Sequence, residues 1–146
     1  MTILHIDRSE PFRPAFWPTV EEDKRSLNLH EVDLTKVTLV TVGKVGEISV
    51  SGEEILKRLK EIPAIRLDAK VLHILVKENE HLIPENWKKY RPRGILFPGT
   101  IFQDGKGHRY MPGLQYTYGW YIMYCPHYTL KYEWPVGIRL AVLVNG

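Results

Sequence analysis

This sequence has almost no cysteine, no strong excess of charge of either sign and no long apolar run. Its one cysteine, Cys125, excludes an intramolecular disulfide and a metal cluster built on several cysteines. No cationic leader followed by an apolar stretch opens the chain, and no run approaches the roughly 18 apolar residues of a membrane span. We therefore expect a soluble cytoplasmic protein without membrane association.

The composition is that of an ordinary folded domain. Hydrophobic residues make up 44% and charged residues 25% of the 146 residues, which argues against disorder. A chain of this length suits one domain, so we predict a single α+β domain over residues 1–146. The net charge of +3 and the pI near 8.9 are only mildly basic, less than a dedicated nucleic-acid-binding protein usually carries.

Local signals predict short helices in the middle of the chain. Ser51 opens a capping box with a glutamate three residues further on, which is typical of a helix start. Asp68 is expected to cap a second helix that ends near Asn79. A third short helix is expected to begin at Pro84, because proline suits the first turn of a helix.

The flanking regions favour β-structure. Residues 2–6 predict a first strand, and two β-branched runs around the turn at 43–46 predict a hairpin. After residue 95 the chain is predicted to form strands separated by turns, and segments 114–118 and 128–134 alternate between apolar and polar positions. The sequence therefore predicts an α+β fold in which an antiparallel β-meander, formed by an aromatic-rich C-terminal half, packs on two or three short helices.

Aromatic residues are concentrated in this meander. Nine of them fall between residues 110 and 134, and they can either form a core or pave a binding surface. Strand 120–125 is apolar on both faces, so it must be covered twice or expose one face to a partner. We expect Trp120 to anchor one face on the helical layer, with its indole N–H near a polar partner. Tyr121 and Met123, on the opposite face, are candidate binding residues.

Basic residues lie close to these aromatics in the sequence. Cations beside aromatic rings can bind single-stranded nucleic acid, and tyrosine, tryptophan and arginine also dominate protein interfaces. The basic neighbours are Lys88, Lys89, Arg91, Arg93, Lys106, His108, Arg109 and Lys131. From these we select Arg91, Arg93, Arg109 and Lys131 as candidate binding residues.

Several groups of residues could in principle support catalysis or bind a metal, but each has a simpler structural explanation. None has the spacing of a complete metal site, a nucleophile with its base, or a phosphate-binding loop. The groups are His5 with Asp7, His73 with His81, Cys125 with His127, and Asp33 with Asp68 and Lys70. We predict no catalytic residue, metal or cofactor, and the pattern leans against an enzyme.

Three segments resemble short hypothetical proteins of bacterial genomes. They are His-Ile-Asp-Arg-Ser at 5–9, His-Leu-Ile-Pro-Glu-Asn-Trp-Lys at 81–88, and the aromatic meander. The resemblance spans most of the chain, but it departs at 134–138, and it implies no activity, ligand or catalytic residue.

Three functions follow as hypotheses. The first is a non-enzymatic protein-binding module that could bind a second copy of itself. The second is a single-stranded nucleic-acid-binding module that uses the aromatic and basic surface. The third is a small hydrolase or metal-dependent enzyme, with a site assembled from distant residues.

Overall fold

The computed structural model of this protein describes residues 1–10, 12, 18–91, 93–124 and 129–144. These residues form helices and several β-sheets, which confirms the α+β class. The predicted pair of Cys125 with His127 lies outside the described residues.

Short strands dominate the described residues. In chain order they are β1 (Ile3–His5), β2 (Thr19–Glu22), β3 (Glu31–Asp33), β4 (Val37–Val40), β5 (Ser49–Ser51), β6 (Ala64–Arg66), β7 (Ile95–Leu96), β8 (Thr100–Gln103), β9 (Arg109–Tyr110), β10 (Gly113–Tyr116), β11 (Trp120–Met123), β12 (Glu133–Pro135) and β13 (Arg139–Val144). The α-helices are α1 (Lys24–Leu27), α2 (Gly52–Lys60) and α3 (Ala69–Glu78). Three 3₁₀-helices span Leu34–Lys36, Glu80–Leu82 and Glu85–Tyr90.

The two longer helices begin where the sequence predicts. The hydroxyl of Ser51 accepts a hydrogen bond from the N–H of Glu54 at 3.1 Å and caps α2. The carboxylate of Asp68 accepts one from the N–H of Lys70 at 3.1 Å and caps α3, which ends before Asn79. Each cap satisfies an amide that the first helical turn leaves without a partner.

A six-stranded mixed sheet forms the centre of the fold. Its strand order is β11-β10-β7-β13-β4, and β6 also pairs with β13. Leu140 of β13 is paired with both β4 and β7, and Val142 is paired with both β4 and β6. Hence β4 occupies one edge of β13, and β7 and β6 share the other edge in succession.

Both faces of this sheet are covered. Ile95 and Ala141 pack with the apolar side of α3, whereas their neighbours Leu96 and Leu140 pack with the apolar side of α2. Because successive strand residues point to opposite faces, the sheet separates two hydrophobic clusters. The buried ring of Trp134 belongs to the cluster on the α2 side.

Two strand predictions are wrong. β4 and β5 do not form the predicted hairpin, because β4 pairs with β13 and β5 pairs with β12. The aromatic-rich C-terminal half is not one meander either, since β9 joins β2 and β8 in a separate three-stranded sheet, away from β10 and β11. The described rings of this half therefore meet in pairs and form no single aromatic cluster.

Gly99, between β7 and β8, lies where two backbone segments approach closely. A Cβ atom at this position would lie 2.2 Å from the carbonyl oxygen of Arg66, so only glycine allows the two backbones to approach. The N–H of Gly99 donates to Leu67 O at 2.8 Å, and its carbonyl accepts from the N–H of Asp23 at 2.9 Å. This junction joins β6, the start of α1 and β8.

Candidate interaction site

Strand β11 lies at one end of the six-stranded sheet. Its inner edge pairs with β10, and no described strand pairs with its outer edge. The four side chains of β11 are Trp120, Tyr121, Ile122 and Met123, so this edge carries no charge. Edge strands usually avoid unwanted pairing by means of charged residues, prolines or a covering segment. The composition of β11 provides neither the charge nor the proline.

Hydrogen bonding in the adjoining turn indicates which backbone groups of β11 face outward. The N–H of Thr117 donates to Gly119 O at 3.2 Å, so these two residues form a hydrogen-bonded pair. In an antiparallel ladder such pairs alternate with non-bonded pairs, which here include Tyr116 with Trp120. The N–H and C=O groups of Trp120 and Ile122 therefore point away from β10.

The two faces of β11 have different environments. Trp120 and Ile122 are half-buried against the cluster that contains α3, as expected for Trp120 from the sequence. The expected polar partner of the Trp120 indole N–H is not found among the described residues. On the other face, Met123 is half-buried against the α2 cluster, whereas the Tyr121 side chain is 42% exposed. Tyr121 is thus the apolar residue of this strand most available to a partner.

A groove of about 590 Å³ adjoins β11. One wall consists of the rings of Tyr116 and Trp120, whose centroids are 5.0 Å apart, together with the fully exposed Tyr118. The other wall is the last turn of α3 and the 3₁₀-helix that follows, which contribute Glu78 and Glu80. The groove is therefore aromatic on one side and polar on the other, where Lys77 and His81 line it beside the two glutamates.

A cationic patch lies beside this groove, on the rings of Tyr90 and Tyr116. Over Tyr116, the ammonium of Lys88 lies 4.5 Å and the guanidinium of Arg91 lies 5.9 Å from the ring centroid. Over Tyr90, the corresponding distances are 5.2 Å for Lys89 and 5.1 Å for Arg139. We call these four residues, Lys88, Lys89, Arg91 and Arg139, the cationic patch.

The predicted basic residues have different partners. Arg91 belongs to the cationic patch, and Arg93 is exposed two residues further on. Arg109 instead forms ion pairs with Glu21 at 2.5 Å and with Glu53 at 2.6 Å, so its charge is neutralised within the fold. The four predicted cations therefore do not act as one group.

Lys131 also has a partner inside the fold. Its ammonium donates to Nε2 of His108 at 2.9 Å, and Nδ1 of His108 lies 3.3 Å from Asp104. Burial opposes the charge of Asp104, but hydrogen bonds from the Tyr110 hydroxyl and from backbone amides lower the pKa of its carboxyl to about 2. This chain of contacts joins β9 to the segment before β12.

The polar residues with possible catalytic roles have structural contacts. Asp68 is buried and accepts two hydrogen bonds from Arg8, at 2.9 and 3.0 Å, and one from the Ser26 hydroxyl at 2.5 Å. Asp33 caps the 3₁₀-helix Leu34–Lys36. Burial lowers the pKa of His73, whose ring lies 5.0 Å from that of Phe12. Within the described ranges, no three His, Cys, Asp or Glu side chains are placed to hold a metal ion.

Two features of this surface were missed by reasoning from the sequence. Arg139 stands alone among the apolar residues that open β13, and no local pattern relates it to Tyr90. The carboxylates that pair with Arg109 are 88 and 56 residues away in the chain. A single arginine inside an apolar run was the one available signal for the first feature.

Comparison of the chain with protein-family models, with curated proteins and with solved structures finds no match. Among the described residues, no helix is both long enough and apolar enough to cross a bilayer.

Proposed function

We propose that this protein is a non-enzymatic interaction module that self-associates through the outer edge of β11. The observation that carries this proposal is an uncharged strand, Trp120–Met123, at the end of the central sheet, with outward backbone groups that no described strand uses. Free strand edges of this kind bind a further strand by main-chain hydrogen bonds.

A second copy of the chain suits this edge because β11 is compatible with itself. In a two-fold antiparallel arrangement, the outward N–H and C=O groups of Trp120 form hydrogen bonds with those of Ile122 in the other copy. By symmetry, Ile122 forms the same bonds with Trp120 of the other copy. Tyr121 then lies opposite Tyr121 of the other copy. No charge opposes a like charge in this register, because β11 contains none.

The association should be weak and depend on concentration. Pairing of two four-residue strands buries little surface compared with a permanent dimer. The exposed ring of Tyr121 adds apolar contact area beside the paired backbones. The fraction of dimer should therefore fall as the protein is diluted over a measurable range of concentration.

Charge substitutions at Tyr121 test the arrangement. Tyr121→Lys or Tyr121→Glu places like charges opposite each other across the two-fold axis, so each variant alone should be monomeric where the unchanged protein is dimeric. An equimolar mixture of the two variants should recover the dimer, because lysine then faces glutamate. Light scattering coupled to gel filtration over a dilution series measures both results.

Tyr118→Lys is the matched control. Tyr118 is also an exposed tyrosine, but it lies in the turn before β11 and contributes nothing to the paired backbones. This variant should dimerise as the unchanged protein does. A strict monomer at every concentration, or a mixture of the two Tyr121 variants that stays monomeric, would eliminate self-association through this edge.

Single-stranded nucleic acid fits this surface less well. Base stacking needs open ring faces, and the rings of Tyr90 and Tyr116 already carry cations at 4.5–5.9 Å. Arg109 is engaged by two carboxylates. Among the described residues, the exposed rings outside the cationic patch are those of Tyr118, Tyr121 and Tyr132, and Lys131 covers the last of these at 5.2 Å.

A further inference from the structure

Two arginines on this surface differ from five other arginines in the described residues. Five arginines contact a carboxylate within the fold, namely Arg8, Arg25, Arg58, Arg66 and Arg109. Arg91 and Arg139 form neither a hydrogen bond nor an ion pair with any described residue. Arg139 is nevertheless half-buried, at the start of the central strand β13.

Tyrosine rings position both of these guanidinium groups. Arg91 lies 5.9 Å from the centroid of Tyr116, and Arg139 lies 5.1 Å from that of Tyr90. A guanidinium held against an aromatic face keeps its N–H groups free for other partners. These groups form a planar fork that binds a carboxylate through two parallel hydrogen bonds. The rings thus restrict the side chains before any partner arrives, which lowers the entropic cost of binding.

The surrounding charge is strongly one-sided. The cationic patch has four positive side chains, and the carboxylate paired with it is that of Glu85, 2.8 Å from the ammonium of Lys88. Four positive charges against this one negative charge leave an excess of three. Such a patch attracts an anionic partner and accelerates its association.

We propose that the cationic patch binds an acidic segment of a protein partner, with carboxylates held by the guanidinium groups of Arg91 and Arg139. A peptide is favoured over a nucleic acid because cations cover the faces of Tyr90 and Tyr116, on which bases would stack. The side chains of Glu78 and Glu80 line the groove and disfavour an acidic segment there. The segment therefore lies on the cationic patch beside the groove.

Binding of a labelled acidic peptide tests this site. A fluorescein-labelled hexaglutamate should bind the full chain at low salt, as measured by fluorescence anisotropy, and binding should weaken as salt is added. Arg91→Gln removes an exposed guanidinium and should weaken binding about five- to tenfold. Arg91→Gln with Arg139→Gln should weaken it more than tenfold. The melting temperature of each variant shows whether it remains folded, and the Arg91 variant tests the site even if Arg139→Gln unfolds the chain.

Two further sets of variants separate a specific site from general charge attraction. Lys24→Gln with Lys57→Gln removes the same number of charges from exposed positions elsewhere and should leave binding nearly unchanged. Replacing both Arg91 and Arg139 by lysine keeps the charge but removes the planar forks, so binding should still weaken severalfold.

The proposal is overturned by any of four results. These are no binding of hexaglutamate at low salt, an equal loss in the Lys24 and Lys57 control, full binding by the arginine-to-lysine variant, or tighter binding of hexathymidylate than of hexaglutamate. The last result would identify a nucleic-acid site in place of a peptide site. None of these measurements depends on self-association through β11, so the two proposals can fail separately.

Discussion

Removal of the Asp68 carboxylate should be among the most destabilising changes in this fold. Asp68 caps α3 and forms a bidentate ion pair with Arg8, whose side chain is only 13% exposed. Asp68→Ala leaves that buried charge without its partner, which costs about 3–5 kcal/mol of the free energy of unfolding. The lost helix cap contributes about 1 kcal/mol to such a change. Because Arg8 keeps some contact with water, the value should fall near the lower end.

Urea denaturation followed by tryptophan fluorescence measures this loss. Since each kcal/mol lowers the melting temperature by roughly 2–4 °C, the variant should also melt about 6–12 °C earlier. Asp33→Ala is the control, because Asp33 caps a 3₁₀-helix at a half-buried position without a salt bridge to an arginine or lysine of the described residues, and it should cost much less. Arg8→Met with Asp68→Ala should cost roughly 1–3 kcal/mol less than the sum of the two single changes. A loss below about 1 kcal/mol for Asp68→Ala would refute the reasoning.

Three further predictions concern packing and pH. Gly52→Ala should destabilise the fold by about 1–3 kcal/mol, despite the better helix propensity of alanine, because the new Cβ would lie 2.6 Å from the Trp134 ring. Gly119→Ala, which meets no atom within 4 Å, should be nearly neutral in the same denaturation assay. Trp134→Ala should cost about 3–5 kcal/mol, since its ring is fully buried, and a value near zero would contradict the core assignment. Hydrogen bonds from Arg58 lower the pKa of Glu47 from 4.5 to about 2, so this stabilisation is present at neutral pH and is lost as the pH falls through that range. Glu47→Gln should therefore make the urea midpoint less dependent on pH between about 4.5 and 2, and an unchanged pH dependence would contradict the assignment.

The helix starts could be predicted because their signals are local. Ser51 and Asp68 cap their helices through amides only two or three residues away. The strand partners could not be predicted in this way. The apolar run 37–40 was paired with the nearest strand-like run, but its partner is β13, about a hundred residues further along the chain. A β-branched run indicates a strand without indicating which strand it joins.

The candidate site was predictable to a similar extent. Alternation along 120–125 correctly separated Trp120 from Tyr121, because side-chain direction in a strand follows from the period of two. The basic residues could not be sorted from the sequence alone. Arg109 and Arg91 have the same side chain, and carboxylates from distant strands and helices neutralise the first but not the second. Such long-range pairing is a property of the assembled fold.

The position of β13 in the chain has a consequence for protein synthesis. This strand, Arg139–Val144, joins β4, β6 and β7, which are all translated long before it. Until residue 144 has left the ribosome, three apolar strands lack the neighbour that they share, and the central sheet cannot close. The nascent chain should therefore remain open to chaperones and proteases until that strand emerges, and its central sheet should form only afterwards.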